Sequence, residues 1–432
     1  MPTIAAHTLG CKVNQYDTQA MLELFLQEGY RIVPVNQSAD VYIVNTCTVT
    51  GTGDKKSLQM IRKIRREHPD SALIVCGCMA QQRGAELLSF GADLVLGTQR
   101  RSEIVSLLKQ FRKTGIPFSA VSPVNNEQLF ECLSVSALNE HVRAVLKIQE
   151  GCNNHCSYCI IPDVRGPVRS RPLEDIRKEV IRLSTAGFRE VVLTGIHLCS
   201  YGKDLDPSVS LLDVINIIQD TEGIIRIRLG SLEPTIVTRD FASKLRKAEK
   251  ICPQFHLALQ SGSNAVLARM RRRYNTEQYL HGVEILRDEF PHAAFTTDIL
   301  TGFPGETENE FQETKEIIQS VGFARIHVFP FSARPNTPAA DMPGQLSSEE
   351  KERRARELIK LGNHVAHMYL KTWSGQYSTI IPEEKINGCW EGYTPEYIRV
   401  RLINTDNCIP GEPVRIRLLN AGPRVMNGEI ID

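Results

Sequence analysis

The sequence has few aromatic residues, almost no net charge and no long apolar segment. Aromatic residues make up 6% of the 432 residues, and 51 Lys and Arg stand against 50 Asp and Glu. This balance excludes a global positive field, so any binding to nucleic acid has to depend on local basic patches. No apolar run approaches the ~20 residues of a membrane-spanning helix, so we expect no membrane partner.

We also expect no secretory leader, because residues 1–6 have neither a basic segment nor a long apolar core. Twelve cysteines would suggest disulfides in a small secreted protein, but this long chain fits a reducing compartment better. We therefore expect a cytoplasmic protein with free thiols. Its length predicts two to four domains, because single cores stop growing near ~250 to 300 residues.

Three cysteines stand close together at Cys152, Cys156 and Cys159. Three thiolates at this spacing can hold one four-iron cube and leave the fourth iron open, which is typical of a cluster that performs chemistry. Zinc is the alternative. A structural zinc site usually has four protein ligands in paired knuckles, and no fourth cysteine or histidine pair stands nearby.

A single cysteine follows each of three predicted N-terminal strands, at residues 3–8, 41–45 and 73–75. These cysteines are Cys11, Cys47 and Cys78. Alternation of these strands with helical stretches predicts an open parallel α/β sheet, whose strand ends share one edge. The three thiols could converge there as a second set of ligands, or they could be ordinary buried cysteines. Cys76 competes with Cys78, but strand alternation points Cys76 into the core.

From residue 144 the alternation of strand and helix resumes and predicts six further units. The strands are expected at residues 144–149, 190–194, 224–229, 255–259, 294–299 and 324–329. Six such units predict a partial (β/α)6 barrel with its active face at the C-terminal ends of the strands. The cysteine cluster follows the first of these strands and therefore belongs to that face.

The last part of the sequence changes to short alternating runs broken by glycine and proline, which predicts a small antiparallel β-barrel. Period-two alternation places four arginines on strand faces: Arg399, Arg401, Arg415 and Arg417. These rows could follow an RNA backbone, or they could be solvated strand faces. The predicted divisions are residues 1–115, a linker at 116–140, the barrel at 141–369 and the last module at 370–432.

Together these features resemble the methylthiotransferases of the radical S-adenosylmethionine (SAM) superfamily, over essentially the whole chain. Both cysteine sets carry the resemblance, with segments 8–17, 45–50, 259–264, 298–307 and 331–338 in support. Within the family, Leu-Gly-Cys-Lys-Val-Asn at residues 9–14 looks most like the MtaB type, which acts on tRNA bearing N6-threonylcarbamoyladenosine beside the anticodon. Enzymes that act on isopentenyl-adenosine, and enzymes that modify an aspartate of a ribosomal protein, more often have other residues in this segment.

The resemblance implies two 4Fe-4S clusters as cofactors, an auxiliary one in the first domain and a radical one in the barrel, together with SAM. It implies that the last module is the RNA-binding domain called TRAM. The residues that it places near SAM are Tyr158 against the adenine ring, Thr194 and Gly195, Gln260 and Ser261, Asp298, Gly302 and Arg334.

The resemblance also implies the reaction and its partners. A methylthio group would be attached to C2 of an adenosine in the anticodon arm of tRNA, with a flavodoxin-like protein as reductant and no role for DNA. Methylthiolation of another tRNA adenosine, of the isopentenyl type, or of a ribosomal protein remains an alternative. A non-catalytic iron-sulfur protein that binds RNA is an alternative of another class.

Overall fold

The computed structural model describes residues 1–124, 129–135, 142–205, 209–403 and 408–431. Its first layer is a six-stranded parallel sheet in the order β2-β1-β3-β4-β5-β6. The strands are β1 (Thr3–Thr8), β2 (Arg31–Ile32), β3 (Val41–Thr46), β4 (Ala72–Gly77), β5 (Leu94–Val95) and β6 (Phe118–Ser119). The helices between them are α1 (Lys12–Gln27), α2 (Gly51–Glu67), α3 (Cys78–Arg83) and α4 (Ile104–Thr114).

Strands β3 and β4 are buried along their whole length because helices cover both faces of the sheet. One core forms on the face that includes Ile4, Ile43 and Ile74, and a second on the face that includes Tyr42 and Val44. This sheet confirms the predicted open parallel α/β fold, and β1 has the predicted bounds.

The central part forms two four-stranded sheets, in the orders β10-β9-β7-β8 and β11-β12-β13-β14. The strands are β7 (Arg143–Glu150), β8 (Arg169–Ser170), β9 (Glu190–Gly195), β10 (Arg226–Leu229), β11 (Ser231–Leu232), β12 (Gln254–Leu257), β13 (Ala294–Thr301) and β14 (Arg325–Pro330). The helices are α5 (Ile161–Arg165), α6 (Leu173–Thr185), α7 (Leu211–Gln219), α8 (Arg239–Arg246), α9 (Asn264–Arg269), α10 (Thr276–Glu289), α11 (Glu308–Val321) and α12 (Ser348–Thr372).

Strand β10 of the first of these sheets approaches the second through a parallel bridge between Ile227 and Ile251, three residues before β12. Together the two sheets make an open barrel. All six predicted strands occur in it. The sequence did not indicate the short strands β8 and β11, whose two residues each are too few for a periodic signal. Alternate strand residues such as Leu146, Ile227 and Phe255 pack in one core with the surrounding helices. The residues between them therefore face the interior of the barrel, which we call the lumen.

The last module is a closed barrel in the order β15-β16-β17-β19-β18. Its strands are β15 (Tyr377–Ile386), β16 (Cys389–Tyr393), β17 (Arg399–Leu402), β18 (Val414–Ala421) and β19 (Met426–Ile430). The pairings are antiparallel except for β17 with β19. The predicted small β-barrel is thus confirmed.

The predicted division points between the parts stay predictions. Residues 125–128 and 136–140 of the predicted linker lie outside the described residues, as do the Asn125-Asn126 pair and residue 141 of the predicted barrel. In the described ranges no helix combines the length and the apolar character that crossing a membrane requires.

Candidate active site

The first three cysteines lie at the carboxyl ends of three adjacent strands. Cys11 precedes α1, Cys47 follows β3, and Cys78 begins α3 directly after β4. Their thiols are close enough to interact electrostatically in all three pairs. Cys76, in contrast, is buried in the core on one face of the sheet, as its alternation predicted.

Gly10 permits the close approach of the first two cysteine loops. Its φ is +102°, and a Cβ atom at this position would lie 2.9 Å from Cβ of Cys47. A side chain here would therefore push Cys47 away from Cys11.

The second triplet lies in the loop that follows β7. Gly151 turns the chain with φ +71°, and a Cβ atom there would collide with the carbonyl oxygen of Pro167. The backbone N–H of Cys152 donates to the carbonyl of Gly166 at 3.0 Å, which closes the loop. All three pairs among Cys152, Cys156 and Cys159 interact electrostatically.

Both cysteine sets fit an iron-sulfur cube by the chemistry of their donors. All six thiols are free, and burial raises the pKa of Cys47 to about 11 and that of Cys159 to about 12. A bound metal cluster would stabilise such thiolates. Within the described residues no three His, Cys, Asp or Glu side chains converge as a group that could hold a single metal ion.

Each cysteine set has a buried arginine that donates to one sulfur. Arg165 Nε lies 3.3 Å from Cys78 Sγ, and Arg272 Nη1 lies 3.1 Å from Cys156 Sγ. Positive charge and N–H donors beside the sulfurs would stabilise the anionic ligands of a cluster. The sequence analysis did not assign these arginines to the site.

Arg272 is held by a polar group beside the second triplet. It donates to Glu233 at 2.8 Å, and Glu233 also contacts His197 at 3.1 Å. Burial raises the pKa of Glu233, but the hydrogen bond from His197 and the charge of Arg272 outweigh it and lower this pKa to about 2. His197 and the unligated Cys199 thus have hydrogen-bond partners within the fold, as Cys199 Sγ accepts from the Glu233 backbone at 3.1 Å.

Arg165 also joins the first sheet to the barrel through a buried charge network. Its side chain donates to Glu150 at 2.6 Å and to Asp17 at 3.2 Å. Lys147 and Arg101 complete the network around the same two carboxylates. This network connects the loop of the second triplet with α1, which begins at the first triplet.

Four of the residues that the resemblance places near SAM lie in the loop after β7 or on strands β9 and β13. Tyr158 packs against the apolar group around Phe303, with ring centroids 6.4 Å apart. Thr194 and Gly195 end β9, and the side chain of Gln149 fills the space beside Gly195. Asp298 contacts His256 at 3.4 Å.

The other four are tied to neighbouring segments. Gln260 has a φ of +67°, which non-glycine residues adopt mainly at strained or functional positions. Ser261 is fully buried and lies 3.4 Å from Thr314, and the backbone N–H of Gly302 donates to Glu306 at 2.6 Å. Roles in cofactor binding for all eight residues stay predictions.

Arg334 lies against the first sheet. Its guanidinium donates to Thr48 at 2.7 Å and pairs with Asp54, one residue and seven residues after Cys47. It therefore docks the barrel onto the loop of the first cysteine set.

The arginine rows of the last module have different surroundings. Arg399 and Arg401 both pair with the buried carboxylate of Glu391, at 2.6 and 2.7 Å. Arg415 and Arg417 are exposed on β18, and Arg417 is 3.8 Å from Glu429. The predicted alternation is confirmed, because Val400, Leu402, Ile416 and Leu418 are buried.

Two known families match the first domain and the barrel separately. Residues 3–97 match the family described as "Uncharacterized protein family UPF0004", and residues 146–318 match the radical SAM superfamily. The threonylcarbamoyladenosine tRNA methylthiotransferase MtaB of Bacillus subtilis is 41% identical, over 100% of this chain and 97% of its own length. MtaB of Thermotoga maritima is 34% identical, over 92% and 91%.

A second group of relatives is named for another tRNA adenosine. The tRNA-2-methylthio-N(6)-dimethylallyladenosine synthase of Pelotomaculum thermopropionicum is 35% identical, over 88% of this chain and 86% of its own. Among solved structures, the radical SAM methyltransferase TsrM of Kitasatospora setae superposes with a TM-score of 0.60 at 14% identity, over 78% of this chain and 77% of that one. This likeness shows the shared fold.

An open barrel with a three-cysteine loop after its first strand defines a radical SAM enzyme. With the N-terminal cysteine domain and relatives along its whole length, the chain belongs to the radical SAM methylthiotransferase family, of the MtaB type. The cofactors of this family are SAM and 4Fe-4S clusters.

Proposed function

We propose that this protein transfers a methylthio group to C2 of N6-threonylcarbamoyladenosine in tRNA. The observation that carries the proposal is the full-length similarity, at 41% identity, to the threonylcarbamoyladenosine tRNA methylthiotransferase MtaB of Bacillus subtilis. Both cysteine sets of the chain support it, because each has three free thiols beside a buried arginine.

In this proposal Cys152, Cys156 and Cys159 hold the radical cluster, and Cys11, Cys47 and Cys78 hold the auxiliary cluster. Bound together with SAM, these groups supply the radical chemistry that an unactivated aromatic C–H bond requires. The protein contributes position and electrostatics: Arg165 and Arg272 stabilise ligand sulfurs, and Gly10 and Gly151 allow the loops to close. Tyr158, Thr194, Gly195, Gln260, Ser261, Asp298 and Gly302 line the face where SAM would bind.

The first domain packs against the barrel near both cysteine sets. Its contacts there include the bonds of Arg334 to Thr48 and Asp54 and the charge network around Arg165. We infer domains at 1–115, 141–369 and 370–432 around the linker 116–140, a cytoplasmic setting, no DNA partner and a flavodoxin-like reductant.

The proposal is tested by an anaerobic reaction of the reconstituted protein with SAM, a reductant and tRNA that bears threonylcarbamoyladenosine. Nucleoside mass spectrometry should detect the 2-methylthio product with wild type and lose it with Cys152→Ala and with Cys11→Ala. Cys132→Ala is the matched control, because Cys132 is an exposed free thiol outside both sets.

Other outcomes separate the alternatives. If product forms only on tRNA that bears dimethylallyladenosine, or only on a ribosomal protein, the methylthiolation reaction stands but the proposed substrate is wrong. Formation of both clusters without any 5'-deoxyadenosine would contradict the enzyme assignment.

A further inference from the structure

The last barrel strand, β14, has one covered face and one open face. Ile326 and Val328 pack against the barrel core on the outer side, where α12 approaches at Gly362. His327 and Phe329 alternate with these residues and therefore face the lumen. Because β14 is the edge strand of its sheet, a ligand that enters the lumen from the open side meets this inner face.

The ring of Phe329 is exposed although it faces inward. Its exposed fraction is 41%, and in the described ranges only one other Phe, Tyr or Trp is exposed, namely Tyr377 of the last module at 65%. A single apolar side chain on an outer surface needs no explanation. A large ring near the carboxyl end of a barrel strand is different, because ligands bind at that end. Phe329 therefore presents an accessible aromatic ring to the space where ligands bind.

Phe329 lies close to the loop of the second cysteine triplet. It stands beside Leu300 of β13 in the parallel register, on the same face of the sheet. Leu300 packs in the apolar group that includes Tyr158, the residue before Cys159. One side chain thus separates the position of Phe329 from the loop that is proposed to hold the radical cluster.

The same strand leads to the first cysteine set. Arg334, five residues after Phe329, donates to Thr48 at 2.7 Å, and Thr48 directly follows Cys47. The next residue, Val49, is a second exposed apolar side chain. Phe329 therefore lies between the chain segments that carry the two cysteine sets.

The target base of the proposed reaction has to lie in this region, because its C2 must be within reach of both cysteine sets. Proteins that recognise the bases of single-stranded RNA loops splay them out and stack them on aromatic side chains. Arg325, exposed on the same inner face of β14, adds positive charge that suits RNA. An accessible ring together with an exposed cation favours a nucleotide over a purely apolar ligand.

We propose that Phe329 stacks on the adenine ring of the target nucleoside and holds it between the two cysteine sets. This inference rests on the proposed function and names a residue that positions the base. Stacking uses the π-face that every adenosine has, so Phe329 holds the base without selecting its N6 substituent. Loss of this contact should weaken binding of the base and leave the phosphate contacts of the RNA in place.

The test uses the reconstituted protein with SAM, without reductant, and three anticodon stem-loops. Their target position carries threonylcarbamoyladenosine, plain adenosine or an abasic site, and fluorescence anisotropy gives Kd for each. We expect the wild type to bind both stem-loops that have the base about tenfold more tightly than the abasic one, because one stacked base contributes about that much. Phe329→Ala should lose this difference and leave Kd for the abasic stem-loop unchanged.

Three further variants and measurements make the test specific. Phe329→Trp should keep the difference, and Phe329→Leu should lose most of it, because leucine has apolar surface but no aromatic plane. Tyr377→Ala is the matched control, since it removes the other exposed ring and should leave the difference between base and abasic site unchanged. With reductant, Phe329→Ala should raise KM for the modified stem-loop about tenfold, while its iron content and SAM affinity equal those of the wild type.

Several results would overturn the inference. Equal wild-type affinity for the base and abasic stem-loops would exclude a stacking contact. A Phe329→Ala protein that keeps the full difference, or a Phe329→Leu protein that equals the wild type, would exclude it as well. A parallel loss of SAM affinity in Phe329→Ala would place the ring against the cofactor instead of the base.

The inference and the proposed function fail in different ways. If the wild type makes no methylthio product from the modified stem-loop, the proposed function fails. If it makes the product and Phe329→Ala has the same KM and the same Kd values, only the role of Phe329 fails.

Discussion

Arg165 has no exposed surface, and its side chain reaches both halves of the proposed site. It donates to Cys78 Sγ at 3.3 Å, to Asn14 at 2.5 Å and to Glu150 at 2.6 Å. Glu150 stands two residues before Cys152. A single guanidinium thus fixes the position of the first cysteine set relative to the loop of the second.

The change Arg165→Met should reduce the free energy of unfolding by about 3–5 kcal/mol, because it leaves buried carboxylates with fewer cations. It should also lower the iron content after reconstitution, because Cys78 loses its N–H donor. Urea denaturation and iron analysis measure the two effects. Arg356→Met is the control, since Arg356 makes one exposed pair with Glu352 and should change stability by less than about 0.5 kcal/mol. Equal effects of the two changes would contradict the prediction.

The sequence indicated the six cysteines but not the arginines beside them. Cysteine spacing and the position after a strand are local signals. Arg272 lies in the basic run 269–274, which resembles an RNA-binding segment, yet it donates to Cys156 and Glu233. Its neighbour Arg269 pairs with Glu310. Only the packing of distant segments decides which basic side chains turn inward.

The long helix α12 packs against β14 at the edge of the barrel through a glycine. A Cβ atom at Gly362 would lie 2.3 Å from the Ile326 side chain. The helix and the strand can approach closely because this residue has no side chain.

Gly362→Ala should therefore destabilise the protein by about 1–3 kcal/mol through overpacking, although alanine favours a helix by about 1 kcal/mol over glycine. Thermal or urea unfolding measures the change. Asn363→Ala on the exposed face of the same helix is the control and should be neutral or slightly stabilising. A stabilising effect of Gly362→Ala would contradict the prediction, because it would show that α12 and β14 can move apart at little cost.

Strand β18 offers exposed positive charge, whereas both arginines of β17 pair with the buried Glu391. Replacement of Arg415 and Arg417 by Gln should weaken tRNA binding. It should also lower the slope of log Kd against log salt concentration by about one for each lost phosphate contact. Arg399→Gln should have little effect on that slope but should destabilise the module, because it leaves the buried Glu391 with only Arg401. Filter binding across salt concentrations distinguishes them. If all variants and the wild type show the same salt dependence of Kd, the arginines of both strands are solvated and do not contact RNA.

At the scale of the whole molecule, the last module is attached to the barrel through Glu190, Arg226 and Arg228. Arg226 donates to the carbonyls of Tyr393 and Thr379, both at 2.9 Å, and Glu190 holds both arginines. Burial raises the pKa of Glu190, but the charge of Arg228 outweighs it, so this pKa lies below its ordinary value.

A carboxylate with a lowered pKa stabilises the fold fully above its unfolded pKa near 4.5 and loses this contribution as pH falls through the folded value. Glu190→Gln should therefore cost about 3 kcal/mol at pH 7, because it leaves buried arginines unpaired. The difference from wild type should shrink as the pH falls below 4.5 and through the lowered pKa of the wild-type carboxyl. Unfolding of both proteins at pH 7 and across this acidic range measures the difference, and a gap that is independent of pH would contradict the assignment.

The sequence by itself determined the α/β class, the six long barrel strands, the C-terminal β-barrel and the positions of both cysteine sets. Hydrophobic periodicity and cysteine spacing are local, so they can be read from neighbouring residues. The tertiary structure alone decided that Arg165 and Arg272 reach sulfurs and that Arg334 docks the first domain onto the barrel. These contacts join residues far apart in the chain, and their partners depend on how the separate sheets pack together.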